Sequence, residues 1–289
     1  MICPVCFHHC KLSEGDIGLC LARQVRDGVV VPRNYGCVTS LALDPIEKKP
    51  LAEFHPGSMI LSVGSFGCNL RCPFCQNHGI SYDETVVQAA RRSDSESHEP
   101  WEHWTPKELA AAAEELIPRG NIGLAFTYNE PLVGYEFVRD TARLIRAAGM
   151  ETVLVTNGTT EPEIEEELLP HISAMNVDLK AFNDHFYDDL ICGNRQVVMG
   201  FIERAARQCH VEVTTLIIPG ENDSETEITE LAQWLAGVEQ RCFRGIPLHI
   251  TRFFPRYKMT DKGPTDPGLV RRLGEVAGQY LEHVCLGNL

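Results

Sequence analysis

The sequence predicts an α/β protein with a parallel β-sheet and packed helices, preceded by a short cysteine-rich segment. Short apolar runs rich in β-branched residues alternate with helical stretches of about ten residues or more, which is the pattern of repeated β–α units. Polar residues stand where several of these runs end. In addition, seven of the twelve cysteines fall into two groups near the start of the chain.

Six strands are predicted, each a short apolar run bounded by turn-forming residues: 59–63, 121–127, 151–156, 174–180, 211–218 and 246–253. Helices are predicted between and after them: 106–117, 131–148, 161–169, 195–208, 224–238 and 267–282, followed by an apolar tail at 283–286. The runs 43–51 and 91–104 have the composition of loops. Periodicity alone fits both a partial (β/α)6 barrel and an open doubly wound sheet.

The domain organisation predicted is a cysteine-rich, metal-binding N-terminal extension over 1–57 and a core over 58–289. The 289 residues, 44% of them hydrophobic, suffice for one large domain with a small appendage. A net charge of −14 disfavours nucleic acid as a partner, because such a surface repels phosphate backbones.

The expected location is the cytoplasm. No run reaches the length of a membrane span, and the N-terminus lacks the apolar core of a signal peptide. Twelve cysteines in such a chain indicate metal and redox chemistry in a reducing compartment rather than disulfides.

A C-x3-C-x2-C motif in the segment 67–77 is the strongest chemical signal. Its residues are Cys68, Cys72 and Cys75. Three such thiolates can hold three irons of a cubane 4Fe–4S cluster and leave the fourth iron open. The alternatives are a zinc knuckle and three buried free thiols. Zinc sites usually add a second cysteine pair or two histidines, and His78 is the only histidine nearby, so the cluster is favoured.

A second cysteine group lies at the N-terminus and consists of Cys3, Cys6, Cys10 and Cys20. Four thiolates complete a tetrahedral zinc site or hold a second 4Fe–4S cluster without an open iron. The spacing does not separate these two metals. Spare thiols are the third alternative, but Gly15 and Gly18 indicate a tight loop, which favours a metal.

Polar residues follow five of the predicted strands, at the sheet edge where parallel α/β proteins collect their sites. They lie in the segments 127–130, 156–158, 178–180, 214–216 and 249–252. Any one of them fits a helix cap or a turn. Five such ends above one cysteine loop favour a ligand-binding site.

The cysteine motif, with Phe74 before its last cysteine, resembles the signature of the radical S-adenosylmethionine (SAM) superfamily. Further segments match in order: 44–50, 127–131, 155–158, 176–180, 191–193, 213–216 and 252–255. Together they resemble the radical SAM enzymes of the AmmeMemoRadiSam system, which are similar to pyruvate formate-lyase activating enzymes. The resemblance implies a partial (β/α)6 barrel, a 4Fe–4S cluster on the three cysteines, and SAM on the open iron.

The resemblance also implies which residues bind SAM. Asn129 and Glu130 match the segment that receives the SAM amino group, and Lys180 matches a lysine near its carboxylate. Phe74 and Leu216 are candidates for the adenine wall. His249 resembles a ribose contact, with an ordinary hydrogen-bonded histidine as the alternative. The remaining predicted SAM-binding residues are Tyr128, Thr156, Asn157, Asp178 and Thr214. Where related enzymes commonly carry an acidic residue before Thr-Asn-Gly, this chain has Val155, which puts a bound cation there in doubt.

The activity implied is reductive cleavage of SAM to methionine and a 5′-deoxyadenosyl radical, which abstracts hydrogen from a substrate. That substrate is either a glycine of a partner enzyme, as for activating enzymes, or a small molecule or peptide. An electron donor such as flavodoxin or ferredoxin is implied as a partner. A non-enzymatic iron–sulfur carrier is disfavoured, because a carrier needs four thiolates per cluster and has no use for the polar strand ends.

Overall fold

The computed structural model describes residues 1–82, 84–91 and 99–289. The strands in these ranges are β1 (Arg23–Arg26), β2 (Val29–Pro32), β3 (Cys37–Val38), β4 (Ser40–Pro45), β5 (Met59–Gly64), β6 (Glu102–His103), β7 (Asn121–Phe126), β8 (Glu151–Thr156), β9 (Ala174–Asp178), β10 (His210–Ile217), β11 (Leu248–Arg252) and β12 (Val284–Gly287). The α-helices are α1 (His78–Ser81), α2 (Glu84–Arg91), α3 (Pro106–Glu115), α4 (Tyr135–Ala147), α5 (Pro162–Leu168), α6 (Arg195–Ala205), α7 (Glu225–Cys242) and α8 (Pro267–Ala277).

Eight strands form the main sheet, in the order β12-β11-β10-β9-β8-β7-β5-β4. Seven of them run parallel, and β4 is antiparallel to β5. From β5 to β12 each new strand of this sheet adds beside the previous one, without the reversal of order that defines a doubly wound sheet. The α/β barrel prediction is therefore confirmed and the doubly wound alternative is wrong. The strand order has two ends, so the barrel is partial.

Two strands of the main sheet lie where the sequence predicts loop or tail. β4 overlaps the start of the predicted loop at 43–51, which is therefore wrong at 43–45, and β12 overlaps the predicted tail at 283–286, which is wrong at 284–286. Each strand is short and takes its stability from a long-range neighbour, β5 for β4 and β11 for β12, which local composition does not reveal. β4 also places residues 40–45 in the large sheet. The division at 57/58 itself stays a prediction.

The predicted long helices are present because their ends carry strong local signals. Thr105 and Glu108 form a capping box at the start of α3, and Asp266 caps α8 just before Pro267, both of which satisfy backbone N–H groups. α4 begins later than predicted, since a 3-10 turn occupies Pro131–Gly134. Part of the loop predicted at 91–104 lies outside the described residues, and β6 within it pairs with β3.

The cysteine-rich N-terminal residues pack directly against the loop that carries Cys68. Gly67 has a φ of +96°, and a Cβ there would stand 2.7 Å from the carbonyl oxygen of Cys20, so this close approach requires glycine. The Arg71 guanidinium also donates to the carbonyl oxygen of Leu19. Within the described ranges, every helix is too short or too polar to span a bilayer.

Candidate active site

A cavity of about 340 Å³ lies where the loop after β5 meets the carboxyl ends of β7 to β11. Its wall contains Cys68, Cys72 and Cys75. It also contains ten of the eleven predicted SAM-binding residues: Phe74, Tyr128, Asn129, Glu130, Thr156, Asn157, Asp178, Lys180, Thr214 and Leu216. The barrel thus brings residues more than 140 positions apart in the sequence to one cavity.

The three cysteines of the loop are protonated thiols in the absence of a metal. Burial raises the pKa of all three, that of Cys72 to about 11, so a positive centre must displace their protons. In the part of the chain that the structure describes, no three Cys, His, Asp or Glu side chains converge on the position of a single ion. A cubane takes each thiolate on a different iron, and all three cysteines line the same cavity.

Glu130 organises the strand ends beside the cysteines. Its carboxylate accepts hydrogen bonds from the Thr156 hydroxyl at 2.7 Å and from the N–H groups of Asn157 and Leu132 at 2.7 and 3.0 Å. Burial raises the pKa of Glu130 to about 7, although the three donors act in the opposite direction. Both carboxylate oxygens are engaged with this chain, so Glu130 fixes the turn after β8 in place.

Asn129 connects the end of β7 to the start of the cysteine loop. Its side-chain oxygen accepts from the N–H of Ser65 at 3.1 Å, and its NH₂ group donates to the carbonyl oxygens of Phe66 and Gly67 at 3.3 and 3.1 Å. These bonds engage both the oxygen and the NH₂ group of the Asn129 side chain. Asn129 therefore holds the backbone just before Cys68 against the barrel.

Lys180 and Asp178 form an ion pair on the cavity wall, with Nζ and Oδ2 2.8 Å apart. The Lys180 side chain is only 17% exposed. Burial alone would lower its pKa, but Asp178 and the nearby Cys72 raise it above its usual range. Lys180 is therefore a permanent cation next to the cysteine loop.

The cavity also has an apolar face and buried polar atoms without partners. Phe74 is buried, with its ring centroid 5.7 Å from that of Phe186, and Leu216 lies on the same wall. Among the described residues, Thr214 Oγ1 and Asn176 Oδ1 are buried and have no hydrogen-bond partner. Because such atoms are rare unless a ligand or water meets them, this wall fits a ligand with both apolar and polar parts, as SAM has.

His249 lies outside this wall, on β11. Its Nε2 is 2.5 Å from Glu212 Oε2. Glu212 also accepts from the N–H groups of Ala52 and Glu53 and bonds His210. Burial opposes ionisation of Glu212, but these four partners lower its pKa to about 2. The alternative of an ordinary hydrogen-bonded histidine describes this position, and the ribose contact stays a prediction.

Several cavity residues are absent from the sequence-based site prediction: Lys48, Gln76, Asn77, Ser81, Tyr82 and Asn176. Two signals were available. Lys48 lies in the segment 44–50, and Asn176 begins the segment 176–180, both of which carry the family resemblance.

The four N-terminal cysteines are close neighbours and lie beside the cysteine loop. Cys3, Cys6 and Cys20 are buried, which raises the pKa of each thiol, that of Cys20 to about 11, with mutual repulsion adding to the effect. The backbone N–H of Cys3 donates to the carbonyl oxygen of Cys10 at 2.9 Å. His8 Nε2 lies 2.8 Å from the carbonyl oxygen of Asn69, the residue after Cys68.

Comparisons with known proteins agree with this architecture. The radical SAM superfamily model matches residues 62–232, more than half of the chain. An uncharacterised protein of Methanocaldococcus jannaschii is 37% identical over 99% of this chain and 81% of its own length. The pyruvate formate-lyase 1-activating enzyme of Escherichia coli K12 is 25% identical over 60% of this chain and 68% of its own length.

A solved structure shows a similar fold. Streptococcus suis SuiB bound to S-adenosylmethionine has a TM-score of 0.56 and 14% identity over 77% of this chain and 48% of SuiB. At that identity the likeness concerns the fold alone. With the family match and the cavity, it leads to one conclusion: this chain is an enzyme of the radical SAM superfamily, similar in sequence to pyruvate formate-lyase activating enzymes.

Proposed function

We propose that Cys68, Cys72 and Cys75 hold a 4Fe–4S cluster and that SAM binds beside it, against the strand ends. The observation that carries this proposal is that the three cysteines and ten of the predicted SAM-binding residues line one cavity. When bound and reduced, the cluster supplies the electron that cleaves SAM to methionine and a 5′-deoxyadenosyl radical. The test is SAM cleavage by the reconstituted protein, described at the end of the Discussion.

The residues of this chain bind and orient SAM. Lys180 meets the SAM carboxylate, and Asp178 holds the Lys180 ammonium in place. Thr214 offers its unbonded hydroxyl, and Phe74 and Leu216 face the adenine. Glu130 acts as a positioning residue, because it fixes Thr156 and Asn157. Asn129 does the same for the cysteine loop, and Tyr128 closes the wall next to it.

For the substrate, the first candidate is a glycine of a partner enzyme, which would make the chain an activating enzyme. Its support is the similarity to the Escherichia coli activating enzyme. The second candidate is a small molecule or peptide, and its support is that Lys48 and Asn176 add polar groups to the cavity wall. We further propose that the chain belongs to the AmmeMemoRadiSam branch and acts in the cytoplasm with a flavodoxin or ferredoxin as electron donor.

We also propose that Cys3, Cys6, Cys10 and Cys20 form a second metal site, with zinc or a 4Fe–4S cluster. A zinc ion needs four sulfurs that converge on one point, whereas a cubane takes one thiolate at each separated iron. Cys3, Cys6, Cys10 and Cys20 are near enough to act electrostatically on one another, which supports a shared metal of either kind. A complete set of four thiolates implies a structural or electron-relay role.

The second site is expected to keep its metal when Cys68, Cys72 and Cys75 are all replaced by alanine. Metal and sulfide analysis of that variant identifies the metal, since iron with sulfide indicates a cluster and one zinc indicates a structural site. A further variant with Cys3 and Cys6 also changed to serine is expected to lose this metal. Absence of both metals from the first variant would show that the N-terminal cysteines are spare thiols.

A further inference from the structure

Lys48 and Asn176 lie on the cavity wall but have no role in the proposed SAM site. We propose that Lys48 and Asn176 form a substrate subsite for a small acid, one that carries a carboxylate or phosphate group together with an N–H or O–H donor. This inference rests on the proposed function, because it places the substrate beside SAM in the same cavity.

The charge of this subsite comes from two lysines that share one carboxylate. Asp44 accepts from Lys48 Nζ at 3.1 Å and from Lys49 Nζ at 2.9 Å. Lys49 is 2% exposed and lies 4.6 Å from the centre of the Tyr128 ring, so it is fixed under that ring. One carboxylate facing two ammonium groups leaves a net positive charge. Lys48 carries this charge on the cavity wall, where its side chain is 66% exposed. A positive charge at that position attracts an anion.

The conformation of Tyr128 is further evidence that this part of the wall is a binding site. Its φ is +76°, a left-handed conformation that is strained for a non-glycine residue. Its hydroxyl donates to Asp44 at 2.6 Å, and this bond, with the Lys49 contact, holds the ring in place. Strain of this kind persists where the surrounding structure enforces it, most often at binding sites.

Asn176 supplies the second group of the subsite. It is fully buried, and its NH₂ group donates to the carbonyl oxygen of Pro50 at 2.7 Å. Because only the nitrogen end can face that carbonyl, the side-chain oxygen must be the end that is free. Of the residues described here, none bonds this oxygen. A hydrogen-bond donor on a ligand would satisfy this oxygen, and the bond to Pro50 joins Asn176 to the segment that bears Lys48.

The position of the subsite separates it from the proposed SAM carboxylate contact. Asp178 and Lys180 pair with each other at the end of β9, on the same cavity wall as the three cysteines. Asn176 stands two residues earlier on the strand, about 6.6 Å deeper in the barrel. A ligand at Lys48 and Asn176 therefore meets a part of the cavity wall that the proposed SAM carboxylate contact does not use.

The test is an isothermal titration of the anaerobically reconstituted protein, with and without SAM. The probes are glycolate, which has a carboxylate and a hydroxyl, inorganic phosphate, and glycolamide as the neutral match of glycolate. We expect saturable binding of glycolate or phosphate, whichever the substrate resembles, and none of glycolamide. Lys48→Met should weaken that binding about tenfold or more, because a charge-assisted bond is lost. Asn176→Ala should weaken glycolate binding about fivefold.

The matched control is Lys107→Met, since Lys107 is an exposed lysine on α3, and it should leave anion binding unchanged. Equal binding by the Lys48→Met variant, or no saturable anion binding by the wild type, overturns the proposal. So does a parallel loss of SAM affinity in Lys48→Met, because the anion that Lys48 meets would then be the SAM carboxylate. Iron content and SAM affinity of the wild type, measured on the same samples, test the proposed function separately.

Discussion

Replacement of Cys68, Cys72 and Cys75 by alanine is expected to abolish reductive SAM cleavage and to remove about four irons per chain. The reason is structural, since all three thiols face the proposed SAM cavity and a cubane cluster needs each of them. Iron and sulfide analysis, together with chromatography of 5′-deoxyadenosine after reduction, measures both losses. The SAM-dependent change in the visible spectrum of the cluster should disappear as well.

The matched control changes three cysteines outside the cavity wall, Cys192, Cys242 and Cys285, to alanine. Cys192 is exposed and the other two are partly buried, so this variant should retain both iron at the first site and SAM cleavage. A cavity variant without its three cysteines that still forms 5′-deoxyadenosine would refute the cluster assignment.

Lys180→Ala is expected to weaken SAM binding by about 1.5–3 kcal/mol, or roughly 10- to 150-fold, the value of a hydrogen bond to a charged group. The loss has two parts. The SAM carboxylate loses its cation, and Asp178, now without its partner at 2.8 Å, places a negative charge near that carboxylate. Isothermal titration with SAM measures the effect.

Two further measurements make the Lys180 result specific. The iron content of the variant should be unchanged, because Lys180 ligates no iron, and Lys107→Ala should bind SAM as the wild type does. A Lys180→Ala variant with unchanged SAM affinity would remove Lys180 from the SAM site and weaken the assignment of the other strand-end residues.

The sequence was sufficient where local chemistry determines structure. The strand patterns, the caps at Thr105 and Asp266, and the C-x3-C-x2-C spacing all depend on residues close together in the chain. Because parallel strands end at one edge of the sheet, the polar residues after them could be expected to meet the cysteine loop. Because neighbouring strands of the sheet follow one another in the sequence, the segments after them line one cavity.

What the sequence did not reveal depends on partners far away in the chain. Asn129 bonds the backbone at Ser65, Phe66 and Gly67, and Glu130 bonds Thr156 and Asn157. The resemblance predicts that both residues bind SAM, which stays a prediction, and the structure adds that their side chains hold other elements in position. His249 likewise bonds Glu212, which lies 37 positions away in the chain. Only the packed structure shows whether a polar side chain at a strand end is satisfied or still free to bind.

The most direct test of the account is SAM cleavage by the anaerobically reconstituted wild-type protein. After reduction with dithionite or with reduced flavodoxin, 5′-deoxyadenosine and methionine are quantified by liquid chromatography and mass spectrometry. The account predicts that both products form together, only when the cluster is present and reduced. A protein that carries a reduced cluster at Cys68, Cys72 and Cys75, binds SAM and leaves it intact would contradict it.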